Sequence, residues 1–179
     1  MRSRLLLEWL LVAGLAIFTL CLLVSYDLTA RPDNLVYDAL VRARPPLRSN
    51  VTIVAIDESS LGSIGLWPWP RQVHARLIER LAAARPAAIG YDVLFIEPSA
   101  QDADLARALA RASNVVLPLT FFVPGNDGAP FDLQAPIGPI AAAARAVGHA
   151  DLTPDQDGIV RRASLIGGTR AAHWPDFAE

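Results

Sequence analysis

The N-terminal segment Leu5–Val24 constrains the fold more than any other feature of the chain. It carries one charged side chain, Glu8, close to its start. As an α-helix it measures about 30 Å, which matches the hydrocarbon core of a bilayer. Arg2 and Arg4 lie in the short flank that precedes this segment, and positively charged flanks favour the cytoplasmic side. We therefore predict a cytoplasmic N-terminus at residues 1–4, a transmembrane helix at residues 5–24, and the bulk of the chain outside the cytoplasm.

A cleaved signal peptide is the alternative interpretation of this segment. It would combine a shorter apolar region with small residues before the cleavage site, whereas Leu28 occupies such a position in the sequence Leu28-Thr29-Ala30. An uncleaved anchor in the inner (plasma) membrane is therefore favoured, with the main domain periplasmic or extracellular.

Charge and cysteine content exclude several classes of function. The net charge of −2 gives no electrostatic basis for binding nucleic acid. Cys21 is the single cysteine and lies in the apolar segment, which excludes a disulfide framework and a cysteine-ligated metal site. The histidines match no zinc spacing and no glycine-rich phosphate loop is present. We therefore expect no cofactor, no metal and no catalytic residue in this chain.

The residues after the anchor alternate between helical and strand patterns. Residues 25–50 read as a connector with a short helix at Asn34–Arg44, which Pro45-Pro46 ends. Beyond it we predict the following elements: strands at Val51–Ile56, Ala87–Phe95 and Asn114–Leu117, the last continuing as Leu119–Val123, and helices at Pro70–Ala84 and Asp102–Ala112. The strands are apolar throughout, as in a parallel sheet covered on both faces. The fold class is therefore α/β, a layered β-α-β-α-β unit with a mainly parallel sheet, in which Pro118 either places its strand at an edge or ends it.

The C-terminal part of the chain predicts a hairpin. A surface loop at Pro124–Pro130 and an alanine-rich helix at Ile137–Val147 precede it. Two strands, Gly148–Leu152 and Ile159–Ile166, would then pair across the turn Thr153–Gly158. The whole of residues 51–179 reads as one extracytoplasmic domain, and we expect a longer protein to continue beyond Glu179.

Acidic residues stand at the ends of two predicted strands. Asp57 and Glu58 follow the first, and Asp92 lies near the end of the second. Ligands bind at the carboxyl ends of strands in open α/β sheets, and clustered carboxylates hold divalent cations, so a membrane-anchored metal-dependent hydrolase is one hypothesis. The favoured alternative is structural: Asp57 and Glu58 bind loop amides, and Arg71 neutralises a buried Asp92.

The run Trp67-Pro68-Trp69-Pro70-Arg71 makes a stiff aromatic loop, because each proline fixes φ. Its tryptophans are suited to stacking on a ligand, to packing against the domain, or to contact with another protein. All three interpretations stay open. The candidate ligand-binding residues are Asp57, Glu58, Trp67, Trp69, Arg71 and Asp92.

A calcium loop is a poor match to the acidic residues near the C-terminus. Asp155 and Asp157 have the right spacing, but the first ligand position is Thr153 and the twelfth is Ser164, where a bidentate Glu is required. A tight turn explains this segment better.

Three sequence motifs together resemble the type-two CHASE domain, a sensory extracellular domain associated with cyclases and histidine kinases. The motifs are AIDESSLGSIGLWPWPR from Ala55, AAIGYDVLF from Ala87 with a downstream acid at Asp102, and GHADLTPDQDGIVRR from Gly148. The resemblance covers roughly Asp38–Glu179. It implies an extracytoplasmic sensory domain that follows one transmembrane helix.

The same resemblance implies what surrounds the domain. Further transmembrane helices and a cytoplasmic cyclase, phosphodiesterase or kinase would follow Glu179, so that this chain senses and another segment responds. The signal would be an unknown small molecule or protein, and a homodimer is expected. A domain that only mediates dimerisation is a further hypothesis, which predicts that Trp67 and Trp69 lie in an exposed apolar patch.

Overall fold

The computed structural model describes residues 2–25, 30–45, 50–122, 131–155, 157–169 and 172–178. The chain divides into two compact units, Met1–Ala55 and Ile56–Glu179. The first unit contains helices α1 (Arg2–Ser25) and α2 (Ala30–Ala43). Within α1, the segment Arg4–Ser25 is long and apolar enough to span a membrane. Helix α2 confirms the predicted connector helix, although it begins before Asn34.

The described part of the second unit is a mixed α/β structure. Its helices are α3 (Glu58–Ile64), α4 (Arg71–Ala83), α5 (Asp102–Ala112) and α6 (Gly138–Ala143), and its strands are β1 (Ile89–Gly90), β2 (Val115–Phe122), β3 (Asp132–Gln134), β4 (Ala146–His149), β5 (Ile166–Gly168) and β6 (His173–Pro175). Helices α4 and α5 confirm two predicted helices. Each buries its apolar face, with Ile78 of α4 and Leu105 and Leu109 of α5 fully enclosed.

Strand β2 pairs with three neighbours. Strands β1 and β4 run parallel to it, and β3 is antiparallel. The prediction that Pro118 places this strand at an edge or ends it is wrong, because β2 continues through Pro118 to Phe122 and Pro118 lies opposite Gly148 of β4. The carbonyls of Val115 and Leu119 accept hydrogen bonds from the N–H groups of Arg145 and Ala150, which flank β4. Alternation along the strand therefore turns the Pro118 nitrogen to the other side, beyond the end of β1, where no ladder hydrogen bond is lost.

The first two predicted strands are largely absent. Val51–Ile56 is not a strand, and Ile53 is 87% exposed. The pattern misleads here because β-branched side chains favour a strand only where neighbouring strands bury them. The strand predicted at Ala87–Phe95 shortens to β1, because the Val93 N–H donates to the Tyr91 carbonyl and turns the chain.

The C-terminal part departs from the prediction in its pairing. The helix predicted at Ile137–Val147 ends as α6, because Ala144 is extended and β4 begins soon after it. The predicted hairpin between Gly148–Leu152 and Ile159–Ile166 is wrong: β4 pairs with β2, and the hairpin is formed by β5 and β6. The loop predicted at Pro124–Pro130 lies outside the described residues.

The segment after β6 lies against β4. The Phe177 N–H donates to the His149 carbonyl at 2.9 Å. A Cβ atom at Gly148 would stand 2.7 Å from the Phe177 Cα. A glycine is therefore required at this point for the two backbones to approach.

Candidate functional site

Residues 65–70, which we call the tryptophan loop, join α3 to α4. Gly65 ends α3 with a φ of +121°, a conformation that favours glycine. The Trp69 indole N–H donates to the Gly65 carbonyl at 2.8 Å, and Trp69 is only 4% exposed. Trp67, which precedes a cis peptide bond to Pro68, is 45% exposed. Trp69 therefore packs into the domain, whereas Trp67 borders solvent.

Five rings form an aromatic cluster at the tryptophan loop: Trp67, Trp69, His74, Tyr91 and Phe95. His74 lies at its centre, with ring centroids at 5.2 Å from Phe95, 5.5 Å from Trp67, 6.0 Å from Tyr91 and 6.1 Å from Trp69. Edge-to-face contacts at these separations stabilise aromatic cores. The cluster is thus the packing interface between the loop, α4 and the segment that follows β1.

The polar groups of the cluster are held in their neutral forms. His74 is 1% exposed and its Nδ1 lies 2.8 Å from the Tyr91 hydroxyl. Burial lowers the pKa of His74 from its ordinary value of 6.5, and the positive charge of Arg71 lowers it further, against an opposing contact with the Trp69 backbone. Burial raises the pKa of the Tyr91 phenol. Both side chains are therefore uncharged at neutral pH.

Arg71 connects this loop to the start of α5. Its Nε donates to Asp102 Oδ1 at 2.9 Å, its Nη2 donates to the Glu97 carbonyl at 2.7 Å, and its guanidinium lies 4.7 Å above the Phe95 ring. Asp102 also accepts the Ser99 N–H at 2.6 Å. This set of contacts holds the two helix N-termini together.

The predicted pairing of Arg71 with Asp92 is therefore wrong. Asp92 is exposed, and the carboxylate that meets Arg71 is Asp102, 31 residues away in sequence. The turn after Tyr91 leaves Asp92 outside the core, while Asp102 at the start of α5 is buried. An exposed carboxylate is solvated by water and needs no cation.

The remaining acidic candidates lie at the start of α3. Asp57 is the N-cap, and its Oδ1 accepts from the Ser60 N–H at 2.9 Å and from the Ser60 hydroxyl at 2.7 Å. These hydrogen bonds lower the pKa of Asp57. Glu58 is exposed in the first turn of α3. In the described residues, neither these two side chains nor Asp92 forms a hydrogen bond or ion pair with the aromatic cluster. Of the six candidate ligand-binding residues, the structure therefore brings together only Trp67, Trp69 and Arg71.

The described residues also give the metal hypothesis no support. Among them, no three His, Cys, Asp or Glu side chains converge in a way that would hold a cation. The Asp155 and Asp157 carboxylates instead bind Arg161, with N–O distances of 2.8–2.9 Å. The hydrogen bond from Arg161 lowers the pKa of Asp157. These ion pairs with Arg161 stabilise the turn predicted at Thr153–Gly158.

Three residues of the site were not predicted from the sequence: His74, Tyr91 and Asp102. His74 occupies the α4 position four residues before Ile78, so its place on the apolar face was a readable signal of burial. The sequence marks Asp102 as the start of a predicted helix and as the acid downstream of the AAIGYDVLF motif, but not as the partner of Arg71. Its pairing with Arg71 depends on how α4 and α5 pack together, which spacing along the chain does not reveal.

Comparison with known families identifies the chain. The family profile of the CHASE2 domain matches residues 12–179, and the chain therefore belongs to the CHASE2 family. CHASE2 domains are extracellular sensory domains of signalling proteins and are not catalytic. Searches of the curated proteins and of the solved structures gave no significant match.

Proposed function

We propose that this chain is the extracytoplasmic sensory input region of a bacterial transmembrane signalling receptor. The observation that carries the proposal is the CHASE2 match over residues 12–179, in a chain whose N-terminal helix segment Arg4–Ser25 is apolar enough to span a membrane. In the complete receptor, a cytoplasmic cyclase, phosphodiesterase or kinase supplies the output. The domain responds when a ligand or partner binds two of its arrangements unequally.

The proposed topology places residues 1–4 in the cytoplasm, the span at residues 5–24 in the inner membrane, a connector at residues 25–50, and the sensory domain at residues 51–179 outside the cytoplasm. We expect alkaline phosphatase fused after Glu179 to be active in a Gram-negative host, because the enzyme folds only after export. The same fusion without residues 5–24 is the control and should be inactive. An inactive full-length fusion, together with a fluorescent cytoplasmic reporter at the same position, would contradict this topology.

Trp67 is the best candidate for direct contact with the signal. Trp69 and Arg71 are committed to packing and to the ion pair, so they hold the tryptophan loop in shape instead of reaching outward. Asp57, Glu58 and Asp92 are exposed; the Asp57 carboxylate caps α3, so Glu58 and Asp92 are the acidic candidates more open to a polar ligand or partner. The proposed contact surface is therefore centred on Trp67.

A protein partner, including a second copy of this chain, fits the same surface. Leu66 is 92% exposed, and Ile64 and Trp67 are 50% and 45% exposed. Exposed apolar side chains at the end of α3 and on the stiff loop that follows it are suited to a protein contact. This supports the proposed homodimer, in which the loops of two subunits meet.

We expect Leu66→Asp to weaken self-association of the detergent-solubilised chain by about tenfold or more, because burying one leucine contributes about 1.5–3 kcal/mol. Sedimentation equilibrium over a concentration series measures the effect. Leu152→Asp is the matched control, since Leu152 is 59% exposed elsewhere in the domain. Equal dissociation constants for the wild-type and Leu66→Asp chains would show that the loop is not part of the dimer interface.

The described residues favour the receptor over a metal-dependent hydrolase built on Asp57, Glu58 and Asp92. It requires converging carboxylates, whereas the Asp57 carboxylate is engaged in capping α3. Membership of a sensory, non-catalytic domain family also favours the receptor.

A further inference from the structure

A titratable group lies at the centre of the aromatic cluster. His74 is 1% exposed and is surrounded by the rings of Trp67, Trp69, Tyr91 and Phe95. Packing interfaces are ordinarily built from side chains that do not change charge between pH 5 and 8, and histidine is the exception. The imidazole therefore makes the attachment of the tryptophan loop sensitive to protons.

The charges around His74 do not favour its protonated form. Arg71, on the same helix, is the nearest influential charge and repels an imidazolium. The opposing carboxylate, Asp102 at the start of α5, is already bound to Arg71 and to the Ser99 N–H. From the segment after β1, the group that faces His74 is the Tyr91 hydroxyl, which burial keeps protonated and neutral.

Protonation would thus place a charge with no carboxylate partner in a buried, ring-lined site, where the contact with the Trp69 backbone offsets only part of the cost. Attraction between an imidazolium and the aromatic faces offsets part of this cost, but it is weaker than the hydration that burial removes. The cost is relieved if the tryptophan loop moves away and admits water. Because the Trp69 indole donates to the Gly65 carbonyl at the end of α3, such a movement would either break this hydrogen bond or carry the end of α3 with the loop.

We propose that His74 is a proton-operated switch: its protonation releases the tryptophan loop from the aromatic cluster, so that acidification is a stimulus of this domain. The proposal rests on the proposed sensory function for its purpose. The loop is closed when it packs on the aromatic cluster and open when it is released. In the pH range between the lowered pKa of His74 and 6.5, the closed arrangement binds fewer protons than the open one. Closure is therefore complete above about pH 6.5 and is lost as the pH falls below it.

The tryptophans themselves report the switch. Two of the chain's four tryptophans belong to the cluster, and Trp9→Phe with Trp174→Phe leaves only Trp67 and Trp69 as emitters. In the full chain in detergent micelles, we expect lowering the pH from 7.5 to 4.5 to quench this emission and shift it to the red. Imidazolium quenches a neighbouring indole, and the released rings meet water.

Matched variants separate this event from other acid effects. His74→Gln keeps a polar group for the Tyr91 hydroxyl but cannot titrate in this range, so the transition should be lost. His149→Gln removes the other buried histidine, and this variant should still show the fluorescence transition. Far-UV circular dichroism checks that each variant is folded and that helix content persists through the transition.

Three outcomes would overturn the proposal: an emission spectrum that is constant over this pH range, the same transition in His74→Gln, or loss of helix content at the same midpoint, which indicates general acid unfolding. The topology measured with the phosphatase fusion does not depend on this titration. A failed switch and a failed receptor assignment are therefore distinguishable.

Discussion

Trp69→Ala is expected to cause the largest loss of stability of any single substitution in the tryptophan loop. Removing a buried tryptophan typically costs about 3–5 kcal/mol, from lost transfer free energy and from the cavity that remains. Trp69 is 4% exposed and packs against Trp67 and His74. Domains are stable by only about 5–15 kcal/mol, so this change removes a large part of the total.

Urea unfolding of the solubilised chain measures the effect. With a urea dependence of about 1–3 kcal/mol per molar, the midpoint should fall by roughly 2 M. Trp69→Phe keeps a ring but leaves the Gly65 carbonyl without its donor, so it should lose about 1–3 kcal/mol.

Trp67→Ala is the matched control for this comparison. Trp67 is 45% exposed, and its contribution is mainly the edge contact with its neighbours, worth about 1 kcal/mol. If Trp67→Ala and Trp69→Ala had the same midpoint, the division of the loop into a packing tryptophan and a contact tryptophan would be wrong.

Helices were predicted from the sequence more accurately than strands, for a physical reason. An amphipathic helix forms its backbone hydrogen bonds within itself, and its buried face is visible in the sequence as apolar residues at every third or fourth position. Helix α5 was predicted at its observed bounds, and α4 within one residue of its ends. A strand is defined by its neighbours, so the apolar run Val51–Ile56 predicted an element that the structure does not contain.

The same reasoning explains which parts of the candidate site were predicted. The tryptophan loop was readable because prolines fix the backbone locally. The partner of Arg71 was predicted wrongly as Asp92, because spacing along the chain does not show which of the downstream acidic residues is buried beside it. A turn at Tyr91 and the packing of α5 on α4 decide between them. Only long-range structure contains that information.

The ion pair between Arg71 and Asp102 gives the second large expected effect. A cation at a helix N-terminus is disfavoured by the helix dipole, whereas an anion in the first turn is favoured. Arg71 therefore depends on the Asp102 carboxylate and the Glu97 carbonyl for its place at the start of α4. The Arg71 and Asp102 side chains are 14% and 13% exposed, so solvent screens this ion pair only weakly.

We expect Arg71→Ala and Asp102→Ala each to lower the free energy of unfolding by about 3 kcal/mol, because each leaves its partner's charge buried and unpaired. The double variant should lose clearly less than the sum, with a coupling energy of about 1–3 kcal/mol. Urea unfolding of the four chains completes the double-mutant cycle. Additive losses, within about 0.5 kcal/mol, would contradict the coupling.

The pair Arg107–Asp104 supplies the control cycle on the same helix. Its side chains are 63% and 37% exposed, and exposed pairs contribute only about 0.2–1 kcal/mol. A large coupling at Arg71–Asp102 beside a small one at Arg107–Asp104 would show that burial, and not charge alone, fastens α4 to α5. In Asp102→Ala the Arg71 charge is no longer neutralised and repels an imidazolium at His74 more strongly, so the tryptophan loop should open at a higher pH than in the wild-type chain.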